Sequence, residues 1–597
     1  MSWILGFSIS IFVLICTIVS AVAVAFGKKI RGRVLTPFNI VLGGVFISVF
    51  ICFLPIYNHF LKGSGGGVFE TVVFSLHHAF QVFTLDADRS IILQSIACNT
   101  PWLATAYSVY LSICFLVAPI LTFGFILSFF KNVSAYIKCI LFYFREFYVF
   151  SELNEKSLAL ATDIRKNHKK AAIIFTDVFE SNDEVSYELR ERASELRAIC
   201  FKKDILAINF KTHAAGANLI FYIIGNDETE NITQSLKLIN QYRQRDNTRL
   251  FVFSSRIDSE LLLTKADSGN IKVRRVNEVR SLINRILFEQ GHELFKNAKP
   301  LPEGEKKISA VIIGMGSHGT EMLKALSWYC QMDGYHIEID AFDKDEAACD
   351  RFSALAPELM SDKYNGVFIP EESEYTIRIH SGFDVTTQSF AKEIEKLTDT
   401  TYVFISLGSD EINIQTAVTM RMLFERMKNK PVIQAVVYSS VEKAALEGIT
   451  NYRGQAYDID FLGDRDSSYS EEVIMNSALE QGALERHKKW GDEEEFWQYE
   501  YNYNSSIASM IHLRARAACR IPGAEKREEE LTDEERIRIE DLEHRRWNAY
   551  MRSEGYIFSG SKDKSSRNDL AKMHHDLVDY SALAEEEKRK DCRIGTV

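Results

Sequence analysis

Gly314, Gly316 and Gly319 stand where phosphates could be held: in KKISAVIIGMGSHGTEMLKAL they follow an apolar, strand-like run and open a stretch with helical spacing. Glycines there permit a tight turn and close backbone approach, and a helix start favours a phosphate. Asp343, ending the run HIEIDAFD, can accept a ribose hydroxyl. A second run, ISLGSDEIN, brings Gly408 and Asp410 to another helix start, where they suit either a ligand crevice or a helix cap. In LEHRRWNAYMRSEGYIFSG, helical spacing places Glu543, Trp547 and Tyr550 on one side of a helix with His544 beside them. Those aromatic faces next to Arg546 suit a planar or phosphorylated ligand; the plainer alternative is a core tryptophan among solvated arginines. Finally, TLDADRS sets two carboxylates two residues apart, and a ring of Asp86 or Asp88 from several subunits would concentrate cations.

The elements that must position these groups divide the chain sharply. At 597 residues it needs several cores, and its net charge of −11 disfavours nucleic acid as a partner. The ten cysteines form no CxxC pair or Cys/His cluster, which argues against a zinc site or a disulfide framework. Mean hydropathy is near zero only on average, because apolar residues concentrate before about residue 150. Residues 3 to 26, about 37 to 61 and about 103 to 130 are long and apolar enough to span the hydrocarbon layer. A signal peptide is the rival for the first, but its charges, Lys28, Lys29, Arg31 and Arg33, follow the apolar run instead of preceding it. The same basic cluster predicts an outside amino terminus and a cytoplasmic carboxyl terminus, in a multi-pass protein of the inner cell membrane.

Between the second and third spans, VFETVVFSLHHAFQVF is too apolar for an extracellular loop and too short to cross and return. The economical reading is a re-entrant helix, with Thr84, Leu85, Asp86, Ala87 and Asp88 as a water-lined strand after it. The alternative is a capping hairpin without conduction, in which His77 and His78 are packing residues. The layout resembles the pore module of tetrameric potassium channels, although the TVGYG-type string is absent.

From about 146 onward, β-rich runs alternate with amphipathic helical stretches, twice over, as in parallel sheets wrapped by helices. In the first copy, Ser151, Leu153 and Lys156 occupy the glycine positions, so its phosphate cradle is lost or rebuilt. IIGNDETEN (223–231) parallels ISLGSDEIN (405–413), with Gly225 matched to Gly408 and Asp227–Glu228 to Asp410–Glu411. Tandem copies behind a pore resemble the RCK/TrkA-N family of Rossmann-like regulatory domains. That resemblance implies a gating ring that takes NAD(H) or an adenine nucleotide, if anything, in the second copy. After about 490 strand signals vanish, and the string around Glu543-His544-Arg545-Arg546-Trp547 resembles the RyR module of ryanodine receptors, which also occurs in bacterial proteins.

The expected fold is thus a membrane α-helical pore domain (1–131) and a linker (132–145), two α/β Rossmann-like domains (146–296 and 305–490), and a small all-α RyR-like domain (497–597). The expected function is a ligand-gated cation channel, not an enzyme, since no hydride-transfer constellation follows the glycines. Its implied partners are membrane lipid, monovalent cations, a nucleotide-like small molecule and further copies of the chain in a homotetramer. Opening would depolarise a cell, as a stress or antiphage effector does. The rival is a membrane-anchored, nucleotide-sensing scaffold that passes no current.

Overall fold

The computed structural model describes residues 3–26, 37–62, 67–84, 86, 96, 100–178, 184–211, 213–264, 267–302, 304–360, 363–364, 367–368, 375–447, 451–475 and 478–596. They form two compact units: residues 1–143 with 176–179 and 199–213, and the remainder.

The smaller unit is built on helices α1 (Trp3–Phe26), α2 (Pro37–Lys62), α3 (Val68–Thr84) and α4 (Pro101–Leu141). Three contain segments long and apolar enough to cross a membrane: Trp3–Ala21, Ile40–Leu61 and Pro101–Thr122. Such sequences become helices in hydrocarbon because only a helix satisfies every backbone group within the segment. Their shared core includes Val49, Phe53 and Ile56 of α2, Ala79 and Val82 of α3, and Leu103, Tyr107 and Leu111 of α4. A polar clasp holds α1 to its neighbours. Ser10 Oγ donates to Ser48 O (3.0 Å), Ser48 Oγ donates to Ser10 O (2.6 Å), and the Ser48 and Tyr110 hydroxyls lie 2.5 Å apart.

Helix α3 runs antiparallel to α2. Its Phe74 and His78 rings lie against Tyr57 (6.1 and 4.7 Å between centroids), while Phe80 and Phe83 reach Phe46 (4.8 and 5.5 Å). Its Thr71, Ser75, Ala79 and Val82 are buried at helical spacing, and Phe69, Val73 and Phe80 on other faces are exposed. Helix α4 is longer than its apolar span: residues 132–141, expected in a linker, continue it. That extension packs within its own unit, with Lys202 N donating to Asn132 Oδ1 (3.1 Å) and Phe201 edge-on to Tyr136 (5.0 Å).

The larger unit contains two parallel sheets. In the first, β1 (Phe147–Phe150), β2 (Ala172–Phe175), β3 (Leu219–Ile223), β4 (Thr248–Phe253) and β5 (Lys272–Val276) run in the order β2-β1-β3-β4-β5. Strand β3, LIFYI, is buried on both faces. Helix α5 (Glu155–Asn167) follows β1, α6 (Glu228–Tyr242) lays Tyr242 against Phe221 of β3 (5.1 Å between centroids), and α7 (Glu278–Gln290) follows β5.

The second sheet comprises β6 (Lys306–Ile313), β7 (Tyr335–Asp343), β8 (Tyr375–Ser381), β9 (Tyr402–Ile405), β10 (Val432–Val436) and β11 (Ile459–Leu462), in the order β8-β7-β6-β9-β10-β11. The pairings among these six are parallel, and Lys299–Pro300 adds an antiparallel pairing at the start of β6. The order reverses between β6 and β9, where open parallel sheets leave a crevice at their carboxyl ends. Helix α8 (Ser317–Tyr329) follows β6, and α9 (Asp410–Arg426) follows β9.

The carboxyl-terminal helices are α10 (Ala478–His487), α11 (Glu500–Ala518), α12 (Asp533–Ser553) and α13 (Glu585–Gly595). This region is not wholly helical: Ile557–Phe558 pairs in parallel with Met573–His574. Ile507, Ile511, Leu542 and Tyr550 join the same hydrophobic core as Ile308, Leu326 and Trp328 of the second sheet region.

Candidate functional site

Four of the five carboxyl-terminal residues singled out by spacing, Glu543, His544, Arg546 and Trp547, line one cavity of about 320 Å³. A capping box, Thr532 with Glu535, starts α12 and fixes its phase. The fifth, Tyr550, falls elsewhere: it is buried against Trp328 in the shared core, with ring centroids 6.2 Å apart. The other walls come from Arg486 of α10, Tyr501 and Ser509 of α11, Asp591 of α13, and the segment carrying Arg567, His574 and His575. The sequence grouped all of these but Arg486 with α12 only as one region, without saying which side chains meet, because they reach it through tertiary packing.

The floor is a buried ionic network. Arg546 donates from Nε and Nη2 to Glu543 Oε1 (3.1 and 2.8 Å), and Arg516 Nη2 donates to Glu543 Oε2. Arg486 donates from Nε to Ser509 Oγ (3.2 Å) and from Nη1 to Thr596 O (3.1 Å). Burial, helped by the Arg516 and Arg546 charges and opposed by Glu543, pulls the Arg486 guanidinium down to about 10. Burial pushes the Glu543 carboxyl up, but Arg546 and Arg516 outweigh it and hold that group below its ordinary range.

Aromatic and imidazole rings form a wall. Trp547 meets His574 edge-on at 4.9 Å and lies nearly parallel to His544 at 5.8 Å, while His574 stacks on His575 at 4.7 Å. Burial, then the charges of Arg567, His575, Lys590 and His544, push His574 down to about 3, so that ring is neutral. Its Nδ1 accepts from Asp576 N (3.1 Å), which puts the ring proton on Nε2. His574, His575 and Asp576 do bring three ligand-type atoms within 4.8 Å, but this tautomer makes His574 Nε2 a hydrogen-bond donor rather than a metal ligand. Burial depresses His544, yet its contact with Asp591 (Nδ1 to Oδ2, 3.1 Å) holds it above its ordinary value. The arrangement can bind and orient an anion with a planar part; Arg486, Arg567, His574 and His575 are the components that spacing within one helix missed.

The glycine loop divides its labour among the three glycines. Gly314 has φ +95, and a Cβ there would lie 2.3 Å from Ser406 O; a Cβ on Gly319 would lie 1.8 Å from Gly314 O. The fold itself therefore requires both. Gly316, with φ −67 and ψ −166, has nothing within 4 Å of its Cβ position, so the fold makes no such demand there. Asp343 accepts from Met315 N (2.6 Å) and Asp345 N (2.8 Å), which ties the end of β7 to the loop.

Gly408 has φ +84. Asp410 accepts from Tyr438 N and Ser439 N (3.0 and 2.9 Å), and the cap of α9 is Ser409, whose side chain accepts from Ile412 N. In the first sheet, Asp227 caps α6, and Glu228 accepts from Ser255 N (3.0 Å). The two segments are thus related in a register one residue from the matched glycines. Asp227 corresponds to Ser409, Glu228 to Asp410, and Asn231 to Asn413, each asparagine bridging its own strand end to the next strand's carbonyl. At the first copy's glycine positions, Ser151 Oγ accepts from Ile224 N (3.0 Å) and Lys156 pairs with Glu278 (2.8 Å), so structural contacts fill that loop.

Of the residues after α3, Thr84 ends the helix, with its hydroxyl donating to Phe80 O (3.3 Å). Asp86 is exposed, and its N donates to Gln81 O (3.1 Å). Leu85, Ala87 and Asp88 lie outside the described residues. No protein-family model matches the sequence, and no curated protein is significantly similar to it.

Proposed function

We propose that this chain is the subunit of a homotetrameric cation channel in an inner cell membrane, gated by nucleotide-type ligands on its α/β and carboxyl-terminal regions. The observation that carries the reading is the course of α3. Its ring contacts run from Tyr57 to Phe46 of α2, eleven residues or about 16 Å along that helix, and on this reading Asp86 would follow at the deep end. A polar segment at that depth needs water around it, and a carboxylate there attracts cations. The exposed apolar faces of α3 suit lipid or neighbouring subunits, and the unbroken α4 suits transmission of movement to the pore.

On this reading the glycine loop between β6 and α8 would take the pyrophosphate of NAD(H) or an adenine nucleotide. Gly316 would give it close approach, and Asp343 would keep lone pairs for a ribose. The carboxyl-terminal cavity would take a second, nucleotide-like ligand. Opening would depolarise the cell, the action of a stress or antiphage effector.

Single-channel recording from the full-length protein in planar bilayers tests this. Cation-selective current is expected, with Asp86→Asn lowering conductance or cation preference. An absence of current under every ligand condition would leave a membrane-anchored sensor, and unaltered currents in Asp86→Asn would remove that residue from the pathway.

A further inference from the structure

Arg486, Arg516 and Arg546 are 4, 0 and 1 % exposed, and they converge on a single carboxylate, Glu543, itself 1 % exposed. Three buried cations against one anion leave two positive charges in surplus within this cluster. The remaining carboxylates of the cavity are engaged elsewhere. Asp591 pairs with His544 (3.1 Å), Glu587 with Lys564 (3.1 Å) and Lys590 (3.7 Å), and Asp576 lies 3.2 Å from His575. Burying unpaired charge is costly, so a fold that keeps it has a use for a counter-ion.

The hydrogen-bonding inventory shows where that ion would sit. Backbone carbonyls, Ser509, His512 and Glu543 take the other donors of these guanidinium groups, but Arg486 Nη2 and Arg546 Nη1 are buried without an acceptor among the described residues. Both residues line the cavity, as does His575, 6 % exposed, whose Nε2 lies 3.2 Å from Asp576 Oδ2. Beside them is Trp547, a half-buried ring lining the same space. Two unused guanidinium donors and a surplus of two charges match a dianion with several acceptor oxygens, and a phosphate is the common biological group of that kind.

We propose that this cavity is a phosphate subsite: Arg486 Nη2 and Arg546 Nη1 hold the phosphate of a small organic phosphate whose planar ring lies against Trp547. The inference rests on the reading of the carboxyl-terminal region as a sensor and not on conduction. Bound phosphate neutralises the surplus, so the occupied region is the stable one.

The test uses the full-length protein in detergent, inorganic pyrophosphate as the bare anion, AMP as the anion with a ring, and adenosine as the ring alone, all at constant ionic strength. Calorimetric titration is expected to show pyrophosphate and AMP competing for one site, with adenosine weaker by roughly tenfold or more, the loss of charge-assisted bonds. Arg486→Met should weaken pyrophosphate by a similar factor. It should also melt no lower than wild type in phosphate-free buffer, because the substitution removes a surplus buried charge; a misfolded variant cannot show that behaviour. Lys488→Ala, an exposed charge in the turn just after the same helix, should bind as wild type does. The proposal is overturned by absent pyrophosphate binding, by adenosine binding as tightly as AMP, by undiminished binding in Arg486→Met, by a lower melting point of that variant, or by equal loss in Lys488→Ala. A protein that binds in the expected way yet passes no current keeps this inference and loses the channel. One that conducts but ignores pyrophosphate does the reverse.

Discussion

Gly316 separates what the fold needs from what a ligand needs. A methyl group at residue 316 meets open space, whereas one at residue 319 would lie 1.8 Å from a backbone carbonyl oxygen. Gly316→Ala is therefore expected to melt within a few degrees of wild type while losing nucleotide affinity, and Gly319→Ala to be destabilised by about 3 kcal/mol or more. Thermal unfolding and nucleotide titration of the pair check this, and equal destabilisation would count against a ligand role for Gly316. His544 offers a pH test. Asp591 holds its folded-state pKa above the ordinary value, so the pair's stabilisation is complete below about pH 6.5 and is lost as pH rises through the folded value. Melting curves from mildly acidic to alkaline pH should show that decline in wild type, and Asp591→Asn should flatten it.

At the scale of elements, one ionic knot joins three parts of the larger unit. Arg280 of α7 donates from Nε to Glu321 of α8 (2.7 Å) and from Nη2 to Glu554 at the end of α12 (2.9 Å), and Lys324 of α8 reaches Glu554 at 2.8 Å. Burial opposes the charge on Glu554, but Arg280 and Lys324 outweigh it and hold that carboxyl far below its ordinary range. Because α12 carries Glu543, Arg546 and Trp547 about two to three turns before Glu554, a ligand that shifts this helix would pull on the knot. Glu554→Gln should cost about 3 kcal/mol, the loss expected when one partner leaves a largely buried pair. Hydrogen exchange should quicken around residues 278–285 and 550–556 together, and acceleration confined to the latter would refute a shared knot.

At the scale of the molecule, the carboxyl-terminal helices are part of the second sheet's core and not an appended module. Trp328 and Leu326 of α8 are 4 and 0 % exposed because Tyr550, Leu542 and Ile511 cover them. A chain ending at residue 496 is therefore expected to aggregate, since it uncovers a large apolar face. Size-exclusion chromatography in detergent of the chain ending at residue 496 and of the full chain gives the comparison; a monodisperse shorter chain would show the two regions to be independent.

The sequence by itself determined the elements whose signals are local. Apolar runs of spanning length, β-rich stretches alternating with helical ones, and glycines at a strand-to-helix turn each depend on neighbours within about twenty residues. Tertiary structure alone decided which side chains meet. Arg545 and Arg546 are adjacent, yet Arg545 pairs with Asp333 while Arg546 enters the cavity floor, because successive helical residues point about 100° apart and only packing says which direction is inward. Arg486, Trp547 and His575 come together across nearly ninety residues for the same reason. The true match of Asp227 with Ser409 likewise emerged only from hydrogen bonds, since a cap is defined by the amide it accepts from and not by its residue type.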